Sequence, residues 1–111
     1  MELEYLPIDK SNIKTRPEKF LITLMDFEML FKISWNVEDN SFYVNIYDGN
    51  GNPILLGHKV TYGVDIFGNI CNKGVPCQLA IIPLDYSGED DKITYDNFME
   101  NVKPYIFKGD E

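Results

Sequence analysis

Between Phe42 and Val64 the chain alternates, turns, and runs on extended. Phe42, Val44 and Ile46 interleave with Tyr43, Asn45 and Tyr47, the run breaks at Asp48-Gly49-Asn50-Gly51-Asn52-Pro53, and an extended stretch resumes at Ile54 and continues to Val64. Successive side chains of an extended backbone point to opposite faces, so period-two hydrophobicity on either side of a Gly/Asn-rich turn reads as a pair of strands. Whatever else the chain does, it must hide the Phe42-Val44-Ile46 face of a sheet.

The same reasoning extends in both directions. Leu3 to Ile8 reads as a first strand, with Pro7 marking an edge or a strand end because proline has no N–H to give a ladder. Ser11 to Glu18 is a polar connection. Phe20 to Met25 is apolar at nearly every position, which suits a strand covered on both faces, whereas Met29, Phe31, Ile33 and Trp35 alternate with Leu30, Lys32, Ser34 and Asn36. Trp35 is assigned to the core with the first set. Hairpin connections are expected at Asp26-Phe27-Glu28 and Glu38-Asp39-Asn40-Ser41, giving a three-stranded antiparallel meander from Phe20 through Tyr47. Val60 to Phe67 is expected to be extended and Gly68 to Gln78 a long loop. Leu79 to Leu84 is a continuous apolar run, short enough for a strand buried on both faces. Asp85 to Lys92 is a polar, acidic loop. Thr94 is placed to cap one helical turn over Ile93 to Met99, with Asn97 where a capping box has Glu or Gln. Val102 to Phe107 closes the chain as a last strand, and residues 108–111 are expected to fray.

A length of 111 residues fits one domain spanning 1–111. The aromatic share of 14% supplies large side chains for its core. Seven or eight short strands joined by hairpins must close on themselves or meet a second sheet. The expectation is therefore an all-β fold, a small antiparallel barrel or a two-layer sandwich, with at most one short helical turn.

Charge and composition remove several function classes. With 18 acidic against 10 basic residues the net charge is -8, the wrong sign for a protein that must displace phosphate counterions, so no nucleic-acid partner is expected. No run approaches the roughly 18 to 20 apolar residues of a membrane helix, and the Met1-Glu2-Leu3-Glu4 start is acidic where a secretory signal is basic and then apolar. Neither membrane insertion nor export is expected, and synthesis belongs in a cytoplasm. Under reducing conditions Cys71 and Cys77 are read as free, structural thiols, too few with His58 for a closed zinc site.

Candidate chemistry fails residue by residue. Asp48, Asn50 and Asn52 mimic the first ligands of a calcium loop, but Pro53 stands where that loop needs Gly and Lys59 where it needs a bidentate Glu. Those letters equally describe a tight hairpin whose Gly and Asn residues supply positive φ. A Cys-His dyad has one histidine, His58, and two thiols to draw on, which chance alone provides. Asp85, Glu89, Asp90 and Asp91 resemble paired carboxylates only superficially, since acids crowded in a polar loop repel one another and point into water. No catalytic residue, cofactor or metal ligand is assigned. Tyr43 and Tyr47 lie opposite the Phe42-Val44-Ile46 face, where they are either covered by a second layer or presented as contact anchors for a protein or a sugar. A carbohydrate- or ligand-binding module using that face is the alternative to a structural role.

The order of features resembles one family. Tyr5-Leu6-Pro7-Ile8-Asp9 precedes an aliphatic hairpin; Phe42 to Asp48 runs into Gly51-Asn52-Pro53-Ile54-Leu55-Leu56-Gly57, followed by Val60 and Gly63; and Ile93-Thr94-Tyr95-Asp96-Asn97-Phe98 leads to Val102-Lys103-Pro104-Tyr105-Ile106. Along nearly its whole length the chain is similar to the cyanophage-type baseplate plug proteins found among the tail genes of phages and prophages. The resemblance implies a structural, non-enzymatic virion protein of the tail baseplate, made in the host cytoplasm and packed against other baseplate, hub, tube or spike proteins. It carries no catalytic residue. Asp48, Gly51, Pro53, Gly57 and Gly63 match its pattern as turn and fold determinants, and Tyr43, Tyr47, Asp85, Glu89, Asp90 and Asp91 are the candidate partner contacts. The loop from Cys71 to Cys77 has no counterpart in that pattern.

Overall fold

The computed structural model describes residues 4–67 and 79–108, and these form seven strands and no helix. They are β1 (Glu4–Tyr5), β2 (Glu18–Leu24), β3 (Phe27–Asn36), β4 (Ser41–Asp48), β5 (Pro53–Lys59), β6 (Leu79–Leu84) and β7 (Lys103–Lys108). One sheet has the order β2-β3-β4-β5 and the other β1-β7-β6, with every strand pairing antiparallel. Of the two architectures open to the sequence, the two-layer sandwich is the one formed.

Alternation decides what lies between the layers. On β3 the buried residues are Met29, Phe31 and Ile33, on β4 Phe42, Val44 and Ile46, and the register sets Phe31 beside Ile46 and Ile33 beside Val44. The smaller sheet contributes Leu79 and Ile81, and these join one hydrophobic cluster with Leu6, Ile66, Phe98 and Val102 from the connections. Among the described residues Phe42 has the most aromatic neighbours: its centroid lies 4.8 Å from Trp35, 4.5 Å from Phe98 and 6.0 Å from Tyr95. Trp35, half-buried, packs against the core as its alternation requires.

Residues 60–67 tie the layers together, and here the structure departs from the expected extended strand. Val60 N–H donates to Phe42 O of the larger sheet at 2.9 Å, then Gly63 N–H reaches Pro83 O at 2.9 Å and Ile66 N–H reaches Ile81 O at 2.8 Å on the smaller. Gly63, at φ +76°, supplies a bend that a β-branched residue resists. The segment is a crossover with isolated bonds because it must leave one sheet for the other within a few residues.

Other boundaries also move. Asp26-Phe27-Glu28 is not the hairpin connection: the turn is Met25-Asp26, both at positive φ (50° and 65°), and Phe27 already pairs with Leu24. Two successive left-handed residues match the right-handed twist of the strands they join, so tertiary pairing imposes a turn the letters do not announce. β2 is not covered on both faces, since Leu21 is 65% exposed. β6 likewise buries only Leu79, Ile81 and Pro83 while Ala80, Ile82 and Leu84 stay half-buried. The first strand stops at Tyr5 by strand pairing, although Leu6 N–H still reaches Pro104 O at 3.1 Å; beyond Pro7 the Ile8 N–H turns back to Leu6 O at 2.9 Å. Around Thr94 a single turn forms, closed by Phe98 N–H on Thr94 O at 3.1 Å. Thr94 Oγ1 accepts from Asn97 N–H at 3.1 Å and Asn97 Oδ1 accepts from Thr94 N–H at 2.8 Å, the reciprocal geometry of a capping box with Asn in place of Glu. The Gly68 to Gln78 loop, both cysteines and residues 109–111 lie outside the described residues.

Removing the shared ring should be felt by both layers. Phe42→Ala is expected to lower the unfolding free energy by about 3–5 kcal/mol, whereas Leu21→Ala should change it by no more than about 0.5 kcal/mol. Urea unfolding followed by Trp35 fluorescence measures both; equal losses in the two variants would contradict the packing described.

Candidate contact surfaces

The outer face of the larger sheet is laid out by register. Leu21 lies opposite Leu30, Leu30 opposite Tyr47 and Tyr47 opposite Pro53, so one row of apolar and aromatic side chains crosses all four strands. The next row sets Lys19 opposite Lys32 and Lys32 opposite Asn45. A third sets Ser34 beside Tyr43 and Tyr43 beside Lys59. Tyr43 and Tyr47 thus share a face but are half-buried there rather than standing clear.

Tyr43 is held from the side. Its hydroxyl donates to Asp39 Oδ2, and Lys59 Nζ sits 3.5 Å from the same oxygen. The Tyr43 hydroxyl is the main cause that keeps the Asp39 carboxyl below its ordinary value, and the carboxylate in return raises the Tyr43 phenol. The Asp39 and Lys59 side chains are substantially exposed, so the network orients the ring and adds little to stability. Tyr43 therefore offers ring area with its hydroxyl already engaged.

The turn determinants divide by mechanism. Asp48 Oδ1 accepts from Asn50 N–H and Asn52 N–H at 2.9 Å each, and Asn52 Nδ2 reaches Oδ2 at 3.3 Å. The Asn52 amide is the largest cause holding this carboxyl low; burial opposes it, and the Asn50 amide adds a lesser lowering. Gly51 adopts φ +88° within that turn, and Pro53 opens β5. Gly57, at φ +66°, marks a bulge: Leu56 and Gly57 together face Asn45, whose Oδ1 accepts the Gly57 N–H at 2.6 Å. A second bulge lies where Ile54 and Leu55 face Ile46.

The acidic loop is less uniform than its letters. Asp85 is only 6% exposed, and its carboxylate accepts from Ser87 Oγ at 2.6 Å, Ser87 N–H at 2.8 Å and Asp90 N–H at 2.9 Å. The Ser87 hydroxyl is the largest of the effects that hold its pKa down. Asp85 thus folds the loop from within instead of pointing into water. Asp90 is half-buried and takes Asn101 Nδ2 at 3.2 Å, which leaves Glu89 and Asp91 as the outward carboxylates.

The smaller sheet presents a patch that the sequence reading missed. Tyr5 lies opposite Tyr105 with ring centroids 6.1 Å apart, Tyr86 closes on Tyr105 at 4.7 Å, and Lys103 Nζ stands 4.6 Å from the Tyr5 ring. Alternation along Lys103, Tyr105 and Phe107 signals that outward face, but only the β1-β7 register brings Tyr5 to it. No set of three or more metal-ligating side chains converges among the described residues. A cleft of about 290 Å³ at the end of the larger sheet is lined by Lys59, Thr61, Tyr62, Asp91 and Lys92 among others, with neither histidine nor cysteine.

A family model described as cyanophage baseplate Pam3 plug gp18 matches residues 3–109. No curated protein matches the chain.

Among the described residues, His58 is the titratable group whose surroundings set a pH dependence near neutrality. Its Nε2 is buried without a hydrogen-bond partner, and burial lowers its pKa from 6.5 against a smaller opposing pull from Asp65. The unfolded chain then takes up a proton at higher pH than the folded one. Stability is full above 6.5, declines as pH falls toward the lowered folded value, and levels off below it. Urea midpoints measured between about pH 7 and pH 5 should fall for the natural chain and lose that slope in His58→Leu. Identical profiles for the two would contradict a desolvated imidazole.

Proposed function

The chain belongs to the cyanophage baseplate plug family, and from that membership we propose that it serves as a structural part of a phage or prophage tail baseplate, working through protein–protein contacts and not through catalysis. The family match along almost the whole chain carries this reading. The geometry supports it: broad sheet faces with apolar and aromatic rows, and carboxylates such as Asp48 and Asp85 engaged in turns. One β domain spanning the chain is made in the host cytoplasm and resides in the virion at the tail baseplate. Its partners are neighbouring baseplate, hub, tube or spike proteins; cofactors, nucleic acid and membrane insertion have no part in the proposal.

Within that role the Tyr43 and Tyr47 rings form one contact surface and the outward Glu89 and Asp91, with Asp90 beside them, another. Asp85 is left out because its carboxylate is spent on the loop. Replacing Tyr43 and Tyr47 together by Ser is expected to keep a cooperative thermal transition and to reduce incorporation into tails by about tenfold, the scale of losing one well-packed aromatic anchor. Quantitative mass spectrometry of purified particles reads the incorporation. A natural chain absent from those particles would overturn the assignment, and a double variant with no thermal transition would place the tyrosines in the core.

A further inference from the structure

A two-layer sandwich of open sheets has four edges, and three of these are closed. β1 is two residues long and runs into Pro7. β5 is broken by two bulges and begins at Pro53. On β6, Ile81 O accepts from Ile66 N–H, Ile81 N–H donates to Asp65 Oδ1 at 3.0 Å, Pro83 O accepts from Gly63 N–H, and Pro83 has no N–H to leave unpaired. These are the devices by which sheets refuse further strands. Among the described residues β2 has no proline within it, no bulge and no segment bonded along its open side.

β2 pairs with β3 through seven consecutive residues without a shift, and no described strand lies on its other side. The two-residue turn after Leu24 makes Leu24 and Phe27 a hydrogen-bonded pair, so the alternation along the ladder sends the N–H and C=O of Lys19, Leu21 and Thr23 outward, away from β3. Leu21 is exposed on one side of this edge, and Phe20 and Ile22 are only half-buried on the other. Beside it Lys19 lies directly opposite Lys32, and neither forms an ion pair among the described residues. Like charges set opposite each other on a sheet are unfavourable, so this pair favours a neighbour that brings a carboxylate to it.

From these observations we infer that β2 accepts an added strand from another baseplate protein, an extended acid-bearing segment that places an apolar side chain beside Leu21 and a carboxylate beside Lys19 and Lys32. Main-chain bonds to Lys19, Leu21 and Thr23 supply the affinity, and the lysine pair selects the segment and its register. A second copy of the chain fits less well: antiparallel pairing of β2 with itself about Leu21 sets Thr23 opposite Lys19 and Leu24 opposite Glu18, bringing no carboxylate to the lysines. The inference rests on the proposed baseplate role.

Residue-resolved hydrogen exchange on the full chain, alone and in purified tails, tests it. Alone, the amides of Lys19, Leu21 and Thr23 should exchange freely while those of Phe20, Ile22 and Leu24 are protected; in tails the first three should slow by about a hundredfold or more. Lys19→Glu with Lys32→Glu should cut incorporation about tenfold without lowering the thermal midpoint of the isolated chain. Fast exchange at those three amides in tails that contain the chain would overturn the strand-addition proposal and leave the baseplate role standing. Undiminished incorporation of the charge-reversed variant would overturn the acid-bearing partner. A free dimer with the three amides already protected would make the occupant a second copy and overturn it as well. Absence of the natural chain from tails would remove both proposals.

Discussion

Phe42 is where the molecule is joined. Its ring meets Trp35 from the neighbouring strand and Tyr95 and Phe98 from the loop that precedes β7. Tyr95 in turn carries the N-terminal segment, with Lys14 Nζ 4.2 Å and Lys10 Nζ 5.1 Å from its ring centre and Lys10 also donating to the Tyr95 carbonyl. Two stretches distant in sequence are thereby fixed against the larger sheet. Aromatic side chains bury large areas and prefer tilted or edge-on neighbours, so a cluster of this kind sets both the energy and the angle of approach. Without it the smaller sheet, three strands with a two-residue edge, has little to hold it in place.

Once the inner faces are committed to each other, what remains for partners is the outer faces and the edges. Carboxylates that look reactive in the sequence are engaged in holding backbone, Asp48 in its hairpin and Asp85 in the loop after β6; Asp65 does the same on the edge of β6. The surface left over is rows of Leu, Tyr and Lys whose positions are set by strand register. Such a surface suits the contact role proposed for this member of the baseplate plug family.

The central meander was legible because its signal is strong and local. Met29, Phe31 and Ile33 against Phe42, Val44 and Ile46 leave one way to hide two faces, and the structure pairs them as their alternation requires. The Thr94–Asn97 turn was legible for the same reason, a short-range side-chain rule. Elsewhere long-range contacts overrode the letters. Val60 to Phe67 carries strand-forming residues yet serves as a crossover, because its hydrogen-bond partners lie in different sheets. Met25 and Asp26 adopt left-handed conformations that neither residue favours, since the twist of β2 and β3 demands them. Asp85 reads as one more acid in a polar run until the backbone amides around it are seen. The Tyr5-Tyr86-Tyr105 patch needed the pairing of the two ends of the chain, which no local pattern reveals.

One aromatic-centred interior fixes two sheets, and the proposed role gives their outsides to neighbours. An electron cryomicroscopy map of the intact tail tip tests it most directly. The expected map holds the two-sheet chain at the baseplate with Phe42 enclosed and the Leu21-Leu30-Tyr47 row covered by another protein. A map that shows this row facing solvent on every copy, or Phe42 opened toward a partner, would contradict it.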